Sequence, residues 1–298
     1  MVLMVKGAAA MFLTPRQYFR RQGSQPRKRF GQHFLEQTAT AQRIVHSAGL
    51  TASDVVVEVG PGLGALTQFI PGDVEELHLV ELDRDLADYL GRCLESASAT
   101  VHIHRQDVLT FDFHALSQSL GKRLVIVGNL PYNISSPLLF RLVKAAPCLK
   151  HAVFMVQKEV GERLVAGPGS KSYGVLSVLL GACARVSRLF EVGAAQFYPP
   201  PRVDSLVVRI DFTEGPVYSD EFLAFFRRVV NCAFQQRRKI LLNSLRSVLA
   251  GTPAQLAEAC LRVGIDPGRR PETLSVIEFI SLSEALLSSL EEQRTSES

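Results

Sequence analysis

The run Val55-Val56-Val57-Glu58-Val59 is apolar enough to be a buried strand, and it breaks directly into Gly60-Pro61-Gly62-Leu63-Gly64. Alternating glycines at such a turn let a ligand approach the backbone, and a helix beginning there, expected over 62–70, aims its N–H groups at whatever binds. Glu81 lies 21 residues after Gly60, Asp107 lies 26 further, and Asn129 lies 22 further. Each step is about one βα unit, so the polar residues fall side by side along the carboxyl edge of a parallel sheet, where open α/β folds bind ligands. An acid closing the second strand suits the two hydroxyls of a ribose, and Asp107 is then placed to accept a hydrogen bond from an adenine amine. One such acid alone reads as a helix cap. Three polar residues in register behind a glycine turn read as a nucleoside site. The glycines run G-x-G-x-G and so depart from the G-x-G-x-x-G of dinucleotide enzymes, which disfavours an NAD-dependent oxidoreductase.

Asn129-Leu130-Pro131-Tyr132 follows the apolar run Leu124-Val125-Ile126-Val127. Pro131 fixes the backbone so that the Asn129 side-chain oxygen and the Leu130 carbonyl can both face outward, two acceptors for the two protons of an exocyclic amine. Tyr132 offers a ring on which a base can stack.

Positioning these residues requires a sheet. Short buried runs alternate with amphipathic stretches, which predicts strands near 54–59, 77–81, 101–106, 124–128 and 151–157. Helices are expected near 36–49, 62–70, 84–95 and 135–145, then helical segments near 158–166 and 174–183 and strands near 185–191 and 205–211. The β, α alternation gives an open doubly wound α/β sheet with helices on both faces. From Asp211 to Tyr218 the composition turns to a polar Gly-Pro linker. Beyond it only helical periodicity appears, near 219–233, 237–249, 253–263 and 275–289, and the final 291–298 reads as frayed. The expected organisation is a basic flexible arm over 1–26, an α/β domain over 27–212 and a small all-α domain over 213–298.

The 298 residues are 47% hydrophobic and 21% charged, enough to bury a sizeable core. Apolar stretches such as 176–184 are broken well short of the roughly twenty residues a membrane helix needs, so no membrane partner is expected. The net charge of +4 is unevenly spread. Residues 1–35 carry seven basic side chains and no acid, and a second acid-free window over 222–257 contains Arg227, Arg228, Arg237, Arg238, Lys239 and Arg246. Clustered cations on an otherwise slightly acidic body suit a polyanion such as nucleic acid. The five cysteines are scattered and never form C-x-x-C, so neither a disulfide framework nor a metal site is expected, and a reducing, cytoplasmic compartment fits. Lys6 interrupts the apolar start and no small-residue cleavage site follows, which argues against export.

Further segments join these motifs: Arg27-Lys28-Arg29-Phe30-Gly31-Gln32-His33-Phe34-Leu35, Glu81-Leu82-Asp83, Gln106-Asp107, Asn133-Ile134-Ser135, Gln157-Lys158-Glu159-Val160 and Phe197-Tyr198-Pro199-Pro200-Pro201-Arg202-Val203-Asp204-Ser205. In the tail, Phe234-Gln235-Gln236-Arg237-Arg238-Lys239 and Asn243-Ser244-Leu245 belong with them. Together they resemble the KsgA-type small-subunit ribosomal RNA adenine N6-dimethyltransferases, relatives of the Erm methyltransferases, from about Arg27 to Ile280. The main departure is His33, where many relatives carry Asn, and an imidazole can still hydrogen-bond.

The resemblance implies a Rossmann-like S-adenosylmethionine-dependent methyltransferase domain followed by a small all-α C-terminal domain. It implies a cofactor contacted by His33, Leu35, Gly60, Glu81, Asp107 and Asn129, with Gly62 in the same turn. The methyl acceptor would meet Asn129, Leu130, Tyr132 and Phe197, with Pro131 shaping the loop. It further implies the substrate: two adjacent adenosines near the 3′ end of small-subunit rRNA within a ribosomal particle, each methylated twice by a monomeric enzyme. Arg27, Lys28 and Arg29, with Arg237, Arg238 and Lys239, are the expected RNA contacts. An Erm-like large-subunit enzyme shares the catalytic series, but the Gln157-Lys158-Glu159 segment and the Arg-rich tail look closer to the KsgA type. Intact Asn129, Pro131 and Tyr132 argue against a non-catalytic RNA-binding or transcription factor of the same fold.

Overall fold

The computed structural model describes residues 12–27, 31–95, 97, 100–213, 218–236, 239–246 and 252–296, with backbone alone from 291 onward. The chain divides into two compact units, one of residues 1–161 with 185–213 and the other of residues 162–184 with 214–298. The 162–184 segment, expected in the α/β domain, therefore groups with the C-terminal helices. No helix of the described residues is long and apolar enough to cross a membrane.

In the first unit, β1 (Phe34–Leu35) pairs antiparallel with a second two-residue strand, Phe197–Tyr198. The main sheet has seven strands: β2 (Val55–Val59), β3 (Glu76–Val80), β4 (Thr100–His104), β5 (Leu124–Asn129), β6 (Leu149–Gln157), β7 (Ala184–Val192) and, following the short Phe197–Tyr198 strand β8, β9 (Ser205–Phe212). Their order is β4-β3-β2-β5-β6-β9-β7. β4, β3, β2, β5 and β6 run parallel, and β9 joins β6 antiparallel. Every residue of β2 is buried, as expected of a strand covered on both faces. The register sets Val59 beside Val80 and beside Gly128, which brings the ends of β2, β3 and β5 to one edge.

Several stretches of this unit depart from the sequence reading. Residues 62–70 form turns and a 3-10 turn at Thr67–Phe69 in place of an α-helix. Gly60, Gly62 and Gly64 all take positive φ, which a right-handed helix cannot accommodate. The supposed flexible arm contains α1 (Pro15–Gln22), opened by a Thr14–Gln17 capping box with Pro15 at its first position and closed by Gly23 at φ 60. Tyr18 and Phe19 anchor it in the core, Tyr18 meeting Tyr89 edge-on at 5.0 Å. The helices α2 (Thr38–Ala48) and α3 (Arg84–Leu94) match expectation, whereas α4 (Phe113–Leu120) was not foreseen. α5 (Ser135–Ala145) completes the unit and α6 (Lys158–Leu164) spans the division.

The second unit holds α7 (Val175–Gly181), α8 (Asp220–Gln235), α9 (Leu241–Leu245), α10 (Pro253–Arg262) and α11 (Val276–Ser296). Phe226, Val229 and Val230 of α8 are buried, and Phe234 stacks on Phe279 of α11 at 5.7 Å. Of the helix expected over 237–249, residues 237–238 and 247–249 lie outside the described residues, and the described part is helical only over α9: Lys239 is a bend, Ile240 is the extended N-cap and Arg246 is a turn. So does most of the Gly-Pro linker, 214–217. The end expected to fray continues as α11 to Ser296.

Candidate active site

The carboxyl ends of β2, β3 and β5 open onto a cavity of about 240 Å³. Its lining includes His33, Leu35, Gly60, Gly62, Glu81, Asp107, Asn129, Leu130, Pro131 and Tyr132, so the structure brings together residues that are a hundred apart in the chain. It also includes Phe12, Leu13, Thr14 and Pro15. These were missed, because nothing in their local sequence marks them as a wall. The Leu13 N–H donates to the Tyr89 hydroxyl at 2.7 Å, and the Phe12 ring lies so close to the glycine turn that a Cβ on Gly64 would sit 2.4 Å from it. Gly64 is therefore needed for the approach of the N-terminal segment as well as for its φ of 83°.

Glu81 is 7% exposed and spends one lone pair of each carboxylate oxygen on the chain: Oε2 accepts from Gly62 N–H at 3.0 Å and Oε1 from Asp83 N–H at 2.9 Å. Burial raises its carboxyl above the ordinary value, opposed by those two backbone donors. The cap of α3 is Asp83, not Glu81. Asp107 does cap its own short turn, its Oδ1 accepting from Leu109 N–H at 2.8 Å, while no described residue donates to its other oxygen. Glu58 is fully buried at the strand end beside them and accepts from the Thr67 hydroxyl at 2.7 Å. Burial, with Glu81 close by, pushes its carboxyl up to about 8.

Asn129 Nδ2 donates to the His33 carbonyl at 3.1 Å, which fixes the amide orientation and leaves Oδ1 without a donor among the described residues. Leu130 N–H donates to the Met155 carbonyl at 3.0 Å, and no described residue donates to the Leu130 carbonyl. Pro131 starts a turn whose carbonyl accepts from Ile134 N–H and from the Ser135 hydroxyl. The Tyr132 hydroxyl meets Ser205 Oγ at 3.1 Å, and its ring stacks on the His33 imidazole, centroids 5.5 Å apart at 27°. His33 Nδ1 lies 2.7 Å from the Pro199 carbonyl; a carbonyl only accepts, so Nδ1 carries the proton. The Phe197-Tyr198-Pro199 segment thus braces the wall from behind. Phe197 itself is 2% exposed, pairs with Leu35 in the small ribbon and does not line the cavity, so its ring offers no stacking face there.

Arg27, expected among the RNA contacts, is engaged by two carboxylates of its own unit. Its guanidinium bridges Asp83 at 2.6 Å and Asp85 at 2.5 Å, which commits its charge within the unit. Lys28, Arg29, Arg237 and Arg238 lie outside the described residues, and Lys239 is exposed.

Parallel strands ending in a glycine turn and an acid, with an Asn-Leu-Pro-Tyr loop at the next strand, define an α/β methyltransferase that uses S-adenosylmethionine. Solved structures agree on the fold. A dimethyladenosine transferase from Plasmodium falciparum superposes with a TM-score of 0.71 at 23% identity, over 84% of this chain and 96% of that one. The 23S rRNA methyltransferase ErmE gives 0.62 at 22% identity, over 85% and 99%. In sequence, the chain is 44% identical over 258 residues to the Ribosomal RNA small subunit methyltransferase A of Nitrosospira multiformis, covering 87% of this chain and 95% of that protein. It is 43% identical over 261 residues to the protein of the same name in a Janthinobacterium species, covering 88% and 98%. The model of the ribosomal RNA adenine dimethylase family matches residues 23–287, and the chain belongs to that family.

Proposed function

We propose that this chain methylates the N6 amines of two adjacent adenosines near the 3′ end of small-subunit rRNA, working as a monomer on a ribosomal particle in the cytoplasm. The observation that carries the chemistry is the pair of neighbouring acceptors, Asn129 Oδ1 and the Leu130 carbonyl, neither claimed by a described donor. When bound, S-adenosylmethionine supplies a methyl group on a sulfonium that is already a good leaving group. The residues in the cavity fit such a group: Glu81 and the second Asp107 oxygen remain acceptors for ribose hydroxyls and an adenine amine, and Leu35 and the Gly60–Gly62 backbone form the adjoining wall.

The protein's task is then alignment. An adenine amine is a weak nucleophile because its lone pair is delocalised into the ring. Accepting from both its N–H groups, Asn129 and the Leu130 carbonyl hold it pyramidal and aimed. Because Nδ2 is held by the His33 carbonyl, Asn129 cannot flip and present its donor instead. A target base must leave its stack at a cost of a few kcal/mol, and the Tyr132 ring offsets part of it. His33, already stacked on Tyr132, must yield that face or share it. Lys28, Arg29, Arg237, Arg238 and Lys239 supply phosphate contacts that position the RNA without reading its sequence.

Asn129→Ala tests this reading. At saturating cofactor, single-turnover methylation of unmethylated small subunits should fall by about 10²-fold, the scale of a lost alignment. A variant that is folded and within a few-fold of wild type would overturn it.

A further inference from the structure

On the outer strands β3 and β4 the sheet carries a second cluster of chemistry, with Glu76 at the start of β3 and His104 at the carboxyl end of β4. Glu76 and His78 are two apart in β3 and so share one face of the sheet, and β4 sets His102 directly beside His78 and His104 beside Val80. The Nε2 of His78 lies 2.9 Å from Glu76 Oε2, and the Nε2 of His102 lies 3.4 Å from that same oxygen. One donor atom from each of the three lies within 4.8 Å of the other two. We propose that Glu76, His78 and His102 form a binding site for one divalent transition-metal ion of the Zn²⁺ class.

The donor set is two imidazole nitrogens and one carboxylate oxygen, the mixture that suits Zn²⁺ and its borderline neighbours and suits Mg²⁺ or Ca²⁺ poorly. Ligands about 2.0 to 2.1 Å from a tetrahedral Zn²⁺ stand roughly 3.3 Å apart, close to the spacings on Glu76. β4 is the edge strand of the sheet, and the His102 side chain is 45% exposed, so an ion has an entry path and a fourth position open to water. The His78 and His102 rings are stacked 4.7 Å apart at 16°, and convergence on one ion requires a tilt, which the exposed His102 can make. Behind them His104 Nε2 lies 3.0 Å from His78 Nδ1. A metal-binding His needs a partner for its other nitrogen. When His78 Nε2 gives up its proton to hold the ion, Nδ1 takes the proton and donates to His104, while His104 shifts its own proton to Nδ1; the exchange of tautomers releases no net proton. His104 is fixed for this by edge-on contact with Phe111 at 5.1 Å. The cysteine pattern gave no sign of such a site, since its ligands come from two strands and only the parallel register brings them together.

The test uses untagged full-length protein, stripped with a chelator and titrated with Zn²⁺ by calorimetry and with Co²⁺ by visible absorption. One equivalent should bind, with the intense d–d bands of a low-coordinate Co²⁺ site and a rise in Tm on adding Zn²⁺. His102→Ala, at an exposed position, should remain folded by circular dichroism and lose that equivalent. His104→Ala should keep the stoichiometry with affinity lowered about 10- to 100-fold, as for a lost partner of a ligand. Absence of micromolar binding by the wild type, or His102→Ala and Glu76→Gln binding the ion as the wild type does, would overturn the proposal.

Discussion

Glu58→Gln isolates the electrostatic cost built into the floor of the cavity. Its carboxyl is fully buried, bonded to the Thr67 hydroxyl and raised from 4.5 to about 8. Between those values the folded chain holds a proton that the unfolded chain has released. The favourable contribution of the neutral form is therefore complete below about pH 4.5 and is lost as pH rises toward 8. Linkage makes the cost small, under about 1 kcal/mol, at pH 5 and about 3 kcal/mol at pH 7. Gln keeps the shape and can still accept from Thr67, but it does not titrate. Groups that do not interact with Glu58 cancel in the difference. Urea unfolding at a series of pH values should show the variant gaining on the wild type by about 2 to 3 kcal/mol from pH 5 to pH 7. A stability difference that stays flat across that range would show that Glu58 ionises at its ordinary value and that the burial argument is wrong.

Glu81→Ala should weaken S-adenosylmethionine binding by about 1.5 to 3 kcal/mol in calorimetry, while RNA affinity holds, because a charged acceptor is lost; unchanged cofactor affinity would mean that Glu81 only braces Gly62 and Asp83. Arg27→Gln should leave the salt dependence of rRNA binding unaltered, since Asp83 and Asp85 already hold that guanidinium. Replacing Lys28 and Arg29 by Gln should reduce the log–log slope by about 0.7 to 0.9 for each lost contact, and an equal loss for Arg27→Gln would contradict the assignment. Tyr132→Phe, which gives up the Ser205 bond, should lose about 0.5 to 1.5 kcal/mol of stability and retain most methyl transfer, whereas Tyr132→Ala should lose most of it. A Phe variant as slow as the Ala variant would make the hydroxyl, and not stacking, the functional element.

The strand ends were legible because the runs of β2 and β5 are nearly continuous in apolar residues and each βα unit has a similar length, so Gly60, Glu81, Asp107 and Asn129 declare their shared edge by spacing. Other features depend on partners distant in sequence. α1 buries little beyond Tyr18 and Phe19 among Arg and Gln, too few apolar residues to make a periodic stripe, and its place on the cavity wall follows from Tyr89 and the glycine turn. Phe197 carried an aromatic signal that suits a stacking platform equally well as a core ring, and its pairing with Leu35 decides for the core. Arg27 reads as one more cation in a basic arm until α3 sets Asp83 and Asp85 against it. Residues 62–70 look helical by hydrophobic period, yet the positive φ of the glycines forbids it.

The central claim is that the two acceptors beside the cavity hold an adenosine amine for methylation and that the RNA so presented is that of the small subunit. The direct measurement is methylation of unmethylated small and large ribosomal subunits in parallel, with the modified nucleotides mapped. Two adjacent dimethyladenosines near the 3′ end of the small-subunit rRNA, and none in the large subunit, is the expected result. Methylation confined to the large subunit, or at a ring nitrogen or a ribose, would contradict it.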